Sequence, residues 1–128
     1  MWNRVRYYTS PRGRQPAADW INDKDNSTLW PSIDARINRL DIEGLSLNRE
    51  ILRLIKGKDS HLYELRNKGK KWRIATYYDV KRDIFVLLCG WRKTQPKQPR
   101  DIARARRLLH AYLDYEGGSI WTGHQDKI

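Results

Sequence analysis

The segment Ile84–Trp91 (IFVLLCGW) leaves the chain the fewest choices, because it is apolar at consecutive positions. Side chains alternate across a strand, so a strand with no polar face belongs inside a sheet that is covered, at least in part, on each side. The run also falls far short of the roughly 20 apolar residues that cross a bilayer. The chain must therefore supply neighbouring strands for this segment and helices to lay over it.

The neighbours are readable. His61–Arg66 and Lys71–Tyr78 carry strand signals, and the linkers NKGK and DVKRD make an antiparallel meander with the apolar strand. Upstream, Trp2–Thr9 alternates as a first strand before the breaker cluster SPRGRQP. Pro16 opens a short helix with Ala17, Trp20 and Ile21 on one face. Ser27 or Thr28 can cap a second helix, in which Trp30, Ile33, Ile37 and Leu40 form a core stripe and Gly44 is the stop. Glu50–Lys58 fixes no period and reads as a connection. Past Pro96 and Pro99, Arg100–Leu113 reads as a helix with Ile102, Ala105, Leu108, Leu109, Tyr112 and Leu113 inward. Its Arg100, Arg104, Arg106 and Arg107 face outward. The expected fold is α+β, one domain over residues 1–113, with 114–128 a loose tail or one docked through Trp121.

Charge is concentrated. The chain has 26 Lys and Arg against 15 Asp and Glu, a net +11, and 16 of those cations with only 5 of the acids lie between Lys56 and Arg107. All of the net charge sits there, the footprint of a polyanion-binding surface, although an anionic membrane or an acidic protein would answer to the same charge. The single Cys89 makes no internal disulfide, and His61, His110 and His124 are too scattered to build a zinc site with it. No metal and no cofactor is expected. The N-terminal MWNRVRYYTS lacks the apolar core of a signal peptide, so a cytoplasmic protein that avoids membranes is the expectation.

A four-residue turn through NKGK would set Arg66 opposite Lys71 and Glu64 opposite Arg73. One hairpin face would then hold Glu64, Arg66, Lys71 and Arg73, and the other Tyr63, Leu65, Trp72 and Ile74. Trp91, Arg92 and Lys93 would emerge beside the charged face. Such clustering repels itself unless an anion or a carboxylate compensates it, and a phosphodiester backbone is the natural candidate. Solvated sheet charges with a Glu64–Arg73 cross-strand pair fit the pattern equally well.

LYELR at Leu62–Arg66, KWRIATYYD at Lys71–Asp79 and IFVLLCGWRKTQPKQPRDIARARRLL from Ile84 to Leu109, in that order, resemble the HigB-like, phage-derived branch of the RelE/ParE toxin superfamily. LIKG at Leu54–Gly57 and the upstream strand and helices also fit, so the resemblance covers about Arg4 to Leu113. It implies a RelE-like fold: an N-terminal strand, two helices, a three-stranded antiparallel meander and a C-terminal helix. It further implies the toxin of a type II toxin-antitoxin pair that cleaves mRNA, usually in the ribosomal decoding site. The cognate antitoxin would be a helix-turn-helix protein.

The family's basic positions match Arg66, Arg73, Arg92 and Lys93. Glu64 stands where some members carry a lysine, and the catalytic Tyr or His of some relatives has no counterpart near Gln98. Metal-independent RNA cleavage needs a stabilised phosphorane, a deprotonated 2′-hydroxyl and a protonated 5′-oxygen. Arg66, Arg73 and Arg92 suit the first task, because a guanidinium binds two phosphate oxygens at once. Lys93 is the candidate acid. Glu64 is the one carboxylate on the charged face, and a structural role orienting Arg73 is favoured over that of base. His61 and His110 read as structural. Lys56, Lys58, Lys68, Lys70, Lys71 and Trp91 are the expected RNA-binding residues. Two other readings stand beside the mRNA endonuclease: a ParE-like poison of an enzyme such as gyrase, and a nonenzymatic RNA-binding regulator.

Overall fold

In the computed structural model, which describes residues 2–94 and 96–115, the apolar segment becomes strand β5 (Ile84–Arg92) of a five-stranded sheet. On one side β5 pairs in parallel with β1 (Val5–Tyr7). On the other it pairs antiparallel with β4 (Trp72–Asp79), followed by β3 (Leu62–Arg66) and, at the edge, β2 (Leu52–Leu54). The expected α+β architecture is present and is that of a RelE-like fold. The extra strand, β2, lies in the Glu50–Lys58 stretch read as a connection. Three paired residues are too few to show a period, and their pairing with β3 is a tertiary fact.

Both sheet faces are covered. Helices α1 (Pro16–Asn22) and α2 (Trp30–Glu43) bury Ala17, Ile33, Ile37 and Leu40 against Val5, Leu65, Trp72, Ile74, Phe85 and Leu87. Helix α3 (Pro99–Asp114) buries Ala105, Leu109 and Tyr112 against Leu62, Ala75, Val86, Leu88 and Trp91 on the opposite face. The thiol of Cys89 lies in this second core at 1% exposure, and burial pushes its pKa up to about 11.

Several sequence expectations need correction. Ser27 and Thr28 do not cap α2; they lie in a 3-10 helix, Lys24–Leu29, and Leu29 is the N-cap. Trp30 is not in the core stripe: it is 38% exposed and donates its indole N–H to the carbonyl of Ile21. Arg106 is only partly exposed; it donates to Asp59 Oδ2 (2.9 Å) and to the Lys56 carbonyl (2.7 Å), lying against Gly57, whose φ of +148° and missing Cβ make room. Helix α3 runs on to Asp114, and residues 116–128, Trp121 among them, lie outside the described residues.

The β3–β4 register is two residues longer than a four-residue turn gives: Arg66 faces Arg73 and Glu64 faces Ala75. A two-residue shift keeps every side chain on its expected face. A β-bulge at Ala75/Thr76 does change faces. It puts Leu88 and Cys89 together on the α3 side, so Trp91 follows to that side and Arg92 turns to the other.

Two polar anchors hold the layers. The buried carboxylate of Asp41 on α2 accepts the backbone N–H groups of Asn3 (2.9 Å), Arg4 (2.6 Å) and Val5 (3.1 Å), which pins β1. The Tyr112 hydroxyl donates to Asp79 Oδ2 (2.7 Å), tying α3 to the end of β4.

Gly90 is where Trp20 of α1 lies on β5, and a Cβ there would come within 2.8 Å of the indole Cδ2. We expect Gly90→Ala to destabilise by about 1–3 kcal/mol, the usual overpacking cost, read from urea unfolding. Burial works against the charge of Asp79, but the Tyr112 and Arg82 hydrogen bonds outweigh it and hold the carboxyl below its ordinary range. Stability from this group is therefore complete above the ordinary carboxylate pKa, about 4, and is lost as pH falls through the lower folded value. Tyr112→Phe should cost about 1–3 kcal/mol at neutral pH and flatten the acid limb of the stability curve.

Candidate functional site

The charged hairpin face is not a solvated surface. Glu64 and Arg73 are 5% and 8% exposed, because the chain entering α3 folds back over them. Arg66 and Arg73 are direct cross-strand partners, an arrangement that repels by itself. One carboxylate oxygen answers both: Glu64 Oε1 stands 3.2 Å from Arg73 Nε and 3.6 Å from Arg66 Nη1. The other, Oε2, accepts a hydrogen bond from Gln98 Nε2 (2.9 Å).

Each arginine is fixed at further points. Arg73 Nη1 donates to the carbonyls of Lys70 (2.9 Å) and Trp72 (2.7 Å), and among the described residues no hydrogen bond takes up its Nη2. Burial lowers the guanidinium's pKa, with Glu64 pulling the other way, and arginine remains charged at neutral pH. Arg66 Nε donates to the Glu50 carbonyl (3.0 Å), which turns its outer edge toward the groove.

Three hollows meet at Lys93, the residue after β5. One, a groove of about 450 Å³, runs between the β2–β3 edge and the start of α3, with Arg53, Lys56, Arg66 and Lys97 around Glu64 and an apolar wall of Leu54, Ile55, Pro99 and Ile102. A second is lined by Lys70, Lys71, Arg73 and Thr94. The third is lined by Arg92, Lys97, Arg100 and Asp101. Among the described residues, ten cations and two carboxylates thus border these three hollows, which share Lys93.

Measured against the sequence, Glu64, Arg66, Arg73 and Lys93 come together. Arg92 borders the third hollow but stands apart from the Glu64 cluster: the bulge turns it to the α1 side, where Nε donates to Asn26 Oδ1 (3.0 Å) and Nη2 to the Asp25 carbonyl (2.8 Å). Trp91 is 6% exposed, with its indole N–H donated to Gln98 Oε1 (2.7 Å), so its face is not open for stacking. Lys56, Lys70 and Lys71 border the hollows. Lys68 is exposed and pairs with Glu50 at 3.7 Å, and Lys58 lies exposed in the β2–β3 connection.

His61 stands at the far end of β3, edge-on to Tyr78, and His110 pairs with Asp59 at 2.9 Å; neither reaches the site. Sequence reasoning missed Arg53, because β2 was not recognised, and it missed Lys97, Gln98 and Arg100. The charge run through Arg100 was the available signal. Among the described residues no group of His, Cys, Asp and Glu could hold a metal ion, and no helix is long and apolar enough to cross a membrane.

No curated protein gives a match to the chain. The family model described as phage derived protein Gp49-like (DUF891) matches residues 19–110, a span that takes in both layers of helix, the whole antiparallel sheet and every residue lining the three hollows. With well over half of its length so matched, the chain belongs to the Gp49-like phage-derived family.

Proposed function

We propose that the chain is the toxin of a type II toxin-antitoxin pair, of HigB type, and that it cleaves mRNA without metal, with the message held in the ribosomal decoding site in the cytoplasm. The observation that carries the reading is a pair of facing arginines, preset by one buried carboxylate, at the meeting of hollows bordered by ten cations. That is a receptor for a phosphodiester backbone with its strongest positive charge held rigid at one point. Family membership supports a toxin and, with it, a dedicated antitoxin, for which a helix-turn-helix protein is the partner we propose.

Arg66 and Arg73 would stabilise the dianionic phosphorane as the 2′-hydroxyl attacks the adjacent phosphate and gives up its proton to solvent water. Lys93 would protonate the departing 5′-oxygen, leaving a 2′,3′-cyclic phosphate. Glu64, engaged through both oxygens, serves to aim the arginines. Arg92, committed to the Lys24–Leu29 turn, contributes to the fold in this scheme. Lys56, Lys70, Lys71, Lys97 and Arg100 would track the backbone of the RNA. A second reading, a nonhydrolytic RNA binder, draws on one specific observation: the carboxylate beside the arginines is engaged through both oxygens, and among the described residues no histidine reaches the site.

Incubation of the purified protein with RNA, with and without ribosomes, separates the two. Cleavage should persist in EDTA when ribosomes are kept intact by other means. It should fail on DNA and where the 5′-side nucleotide carries a 2′-O-methyl group, and it should leave 2′,3′-cyclic or 3′-phosphate ends. Arg66→Ala should slow cleavage about a hundredfold or more, near 3 kcal/mol, while folding. Arg73→Ala should lose at least as much activity and also stability, since it leaves a buried carboxylate short of a partner. Arg92→Ala should change stability more than rate. Cleavage of deoxy substrates, or 3′-hydroxyl ends, would remove the arginines from catalysis; RNA binding without cleavage would establish the second reading.

A further inference from the structure

The side chain of Gln98 bridges a donor and an acceptor, using both ends of its amide. Its two neighbours are a group that only donates, the indole N–H of Trp91, and the carboxylate of Glu64 that pairs with Arg73 and Arg66. The amide must therefore present its oxygen to Trp91 (2.7 Å) and its nitrogen to Glu64 (2.9 Å), as the structure has it. Trp91 is 6% exposed and belongs to the core beneath α3, so one end of this relay is anchored in packed side chains. The other end takes up Glu64 Oε2 and so fixes the rotation of the carboxylate whose Oε1 faces Arg73 and Arg66. Gln98 is also the N-cap residue of α3 yet makes no side-chain cap bond, so its side chain is spent on the site rather than on its own helix.

We propose that Gln98 is a positioning residue: through Glu64 it aims Arg73 and Arg66 at the scissile phosphate. This deepens the endonuclease reading and rests on it for its effect on rate, but the geometry at Arg73 stands whether or not RNA is cleaved. Gln98→Glu is nearly isosteric and keeps an oxygen for Trp91, while setting a second carboxylate against Glu64. Glu64 is faced by Arg66 on its own strand and Arg73 on β4, and it shares the groove with Arg53 on β2 and Lys93 beyond β5. Misplacement of a reacting group by on the order of 1 Å can cost about a hundredfold in rate.

The test has two arms. In the first, 15N-resolved NMR of the free protein follows the Arg73 Nε–H and the Trp91 indole N–H. With Gln98→Glu the Arg73 signal should move and the Trp91 signal should persist. In the second, single-turnover cleavage is measured for Gln98→Glu and for the exchanged pair Glu64→Gln with Gln98→Glu, each checked by urea unfolding. Gln98→Glu should lower kcat about ten- to a hundredfold with KM for RNA little changed. The exchanged pair restores an amide–carboxylate hydrogen bond but sets an amide before Arg73, so it should not regain kcat.

An unmoved Arg73 signal, or wild-type kcat in Gln98→Glu, overturns the proposal while leaving the endonuclease reading intact. Recovery of kcat in the exchanged pair overturns it too, since Gln98 would then only hold the loop. A moved Arg73 signal in a protein whose wild type cleaves no RNA would sustain the positioning role and overturn the function it serves.

Discussion

Strand β5 has no face that tolerates water, and the arrangement of the molecule follows from covering it. Two helices close one side, one closes the other, and a five-stranded sheet lies between two separate apolar cores. The α3 cover begins only at Pro99, so the chain leaving β5 at Lys93 has to cross the open end of β3 and β4 before the helix starts. That crossing is where Gln98 meets Glu64 and where the three hollows join. The site is thus the seam left where the second layer of cover is incomplete.

Inside the seam, one carboxylate organises the positive charge. Two arginines set directly across a strand pair repel, and burying either one alone would be costly. Glu64 resolves the conflict between them, but its remaining oxygen then needs a donor in a place sheltered from water, and the Gln98 amide supplies it. The result is a cluster of net positive charge that is buried and paired at its centre and increasingly exposed outward through the lysines. Under the proposed reading a phosphate at the centre would meet positioned donors, and along the rim exposed, salt-sensitive charge.

Most of the fold was legible because its elements announce themselves over many residues: the apolar run of β5, the stripe of Ile33, Ile37 and Leu40, and the Gly44 stop. The sequence also gathered Glu64, Arg66, Arg73 and Lys93 correctly, since strand alternation puts the first three on one face whatever the exact turn. What it could not show were features that exist only between distant segments. Edge strand β2 is too short to have a period, so Arg53 went unnoticed. The bulge at Ala75/Thr76 adds one residue to the count along β5, and that single step turns Arg92 away from Glu64 and toward Asn26. Trp30 carries the spacing of a core residue but ends at the helix start, exposed and tied to Ile21. The burial of Arg73 was hidden as well, because the covering comes from a loop with no apolar signature of its own.

The depth of Cys89 makes the chain's one thiol a clock for the whole sheet. A thiol held as the protonated form and screened by α3 is inert toward alkylating reagents, since the thiolate is the reactive species and neither it nor the reagent is admitted to the native core. Labelling must await the departure of α3 or the parting of β4 from β5. When reclosure is fast, its pace is the reagent's own rate scaled by the population of that open form. A ligand that grips the seam between β5 and α3 would retard the clock, so occupancy of the groove becomes readable from a mass increment on a residue it never touches.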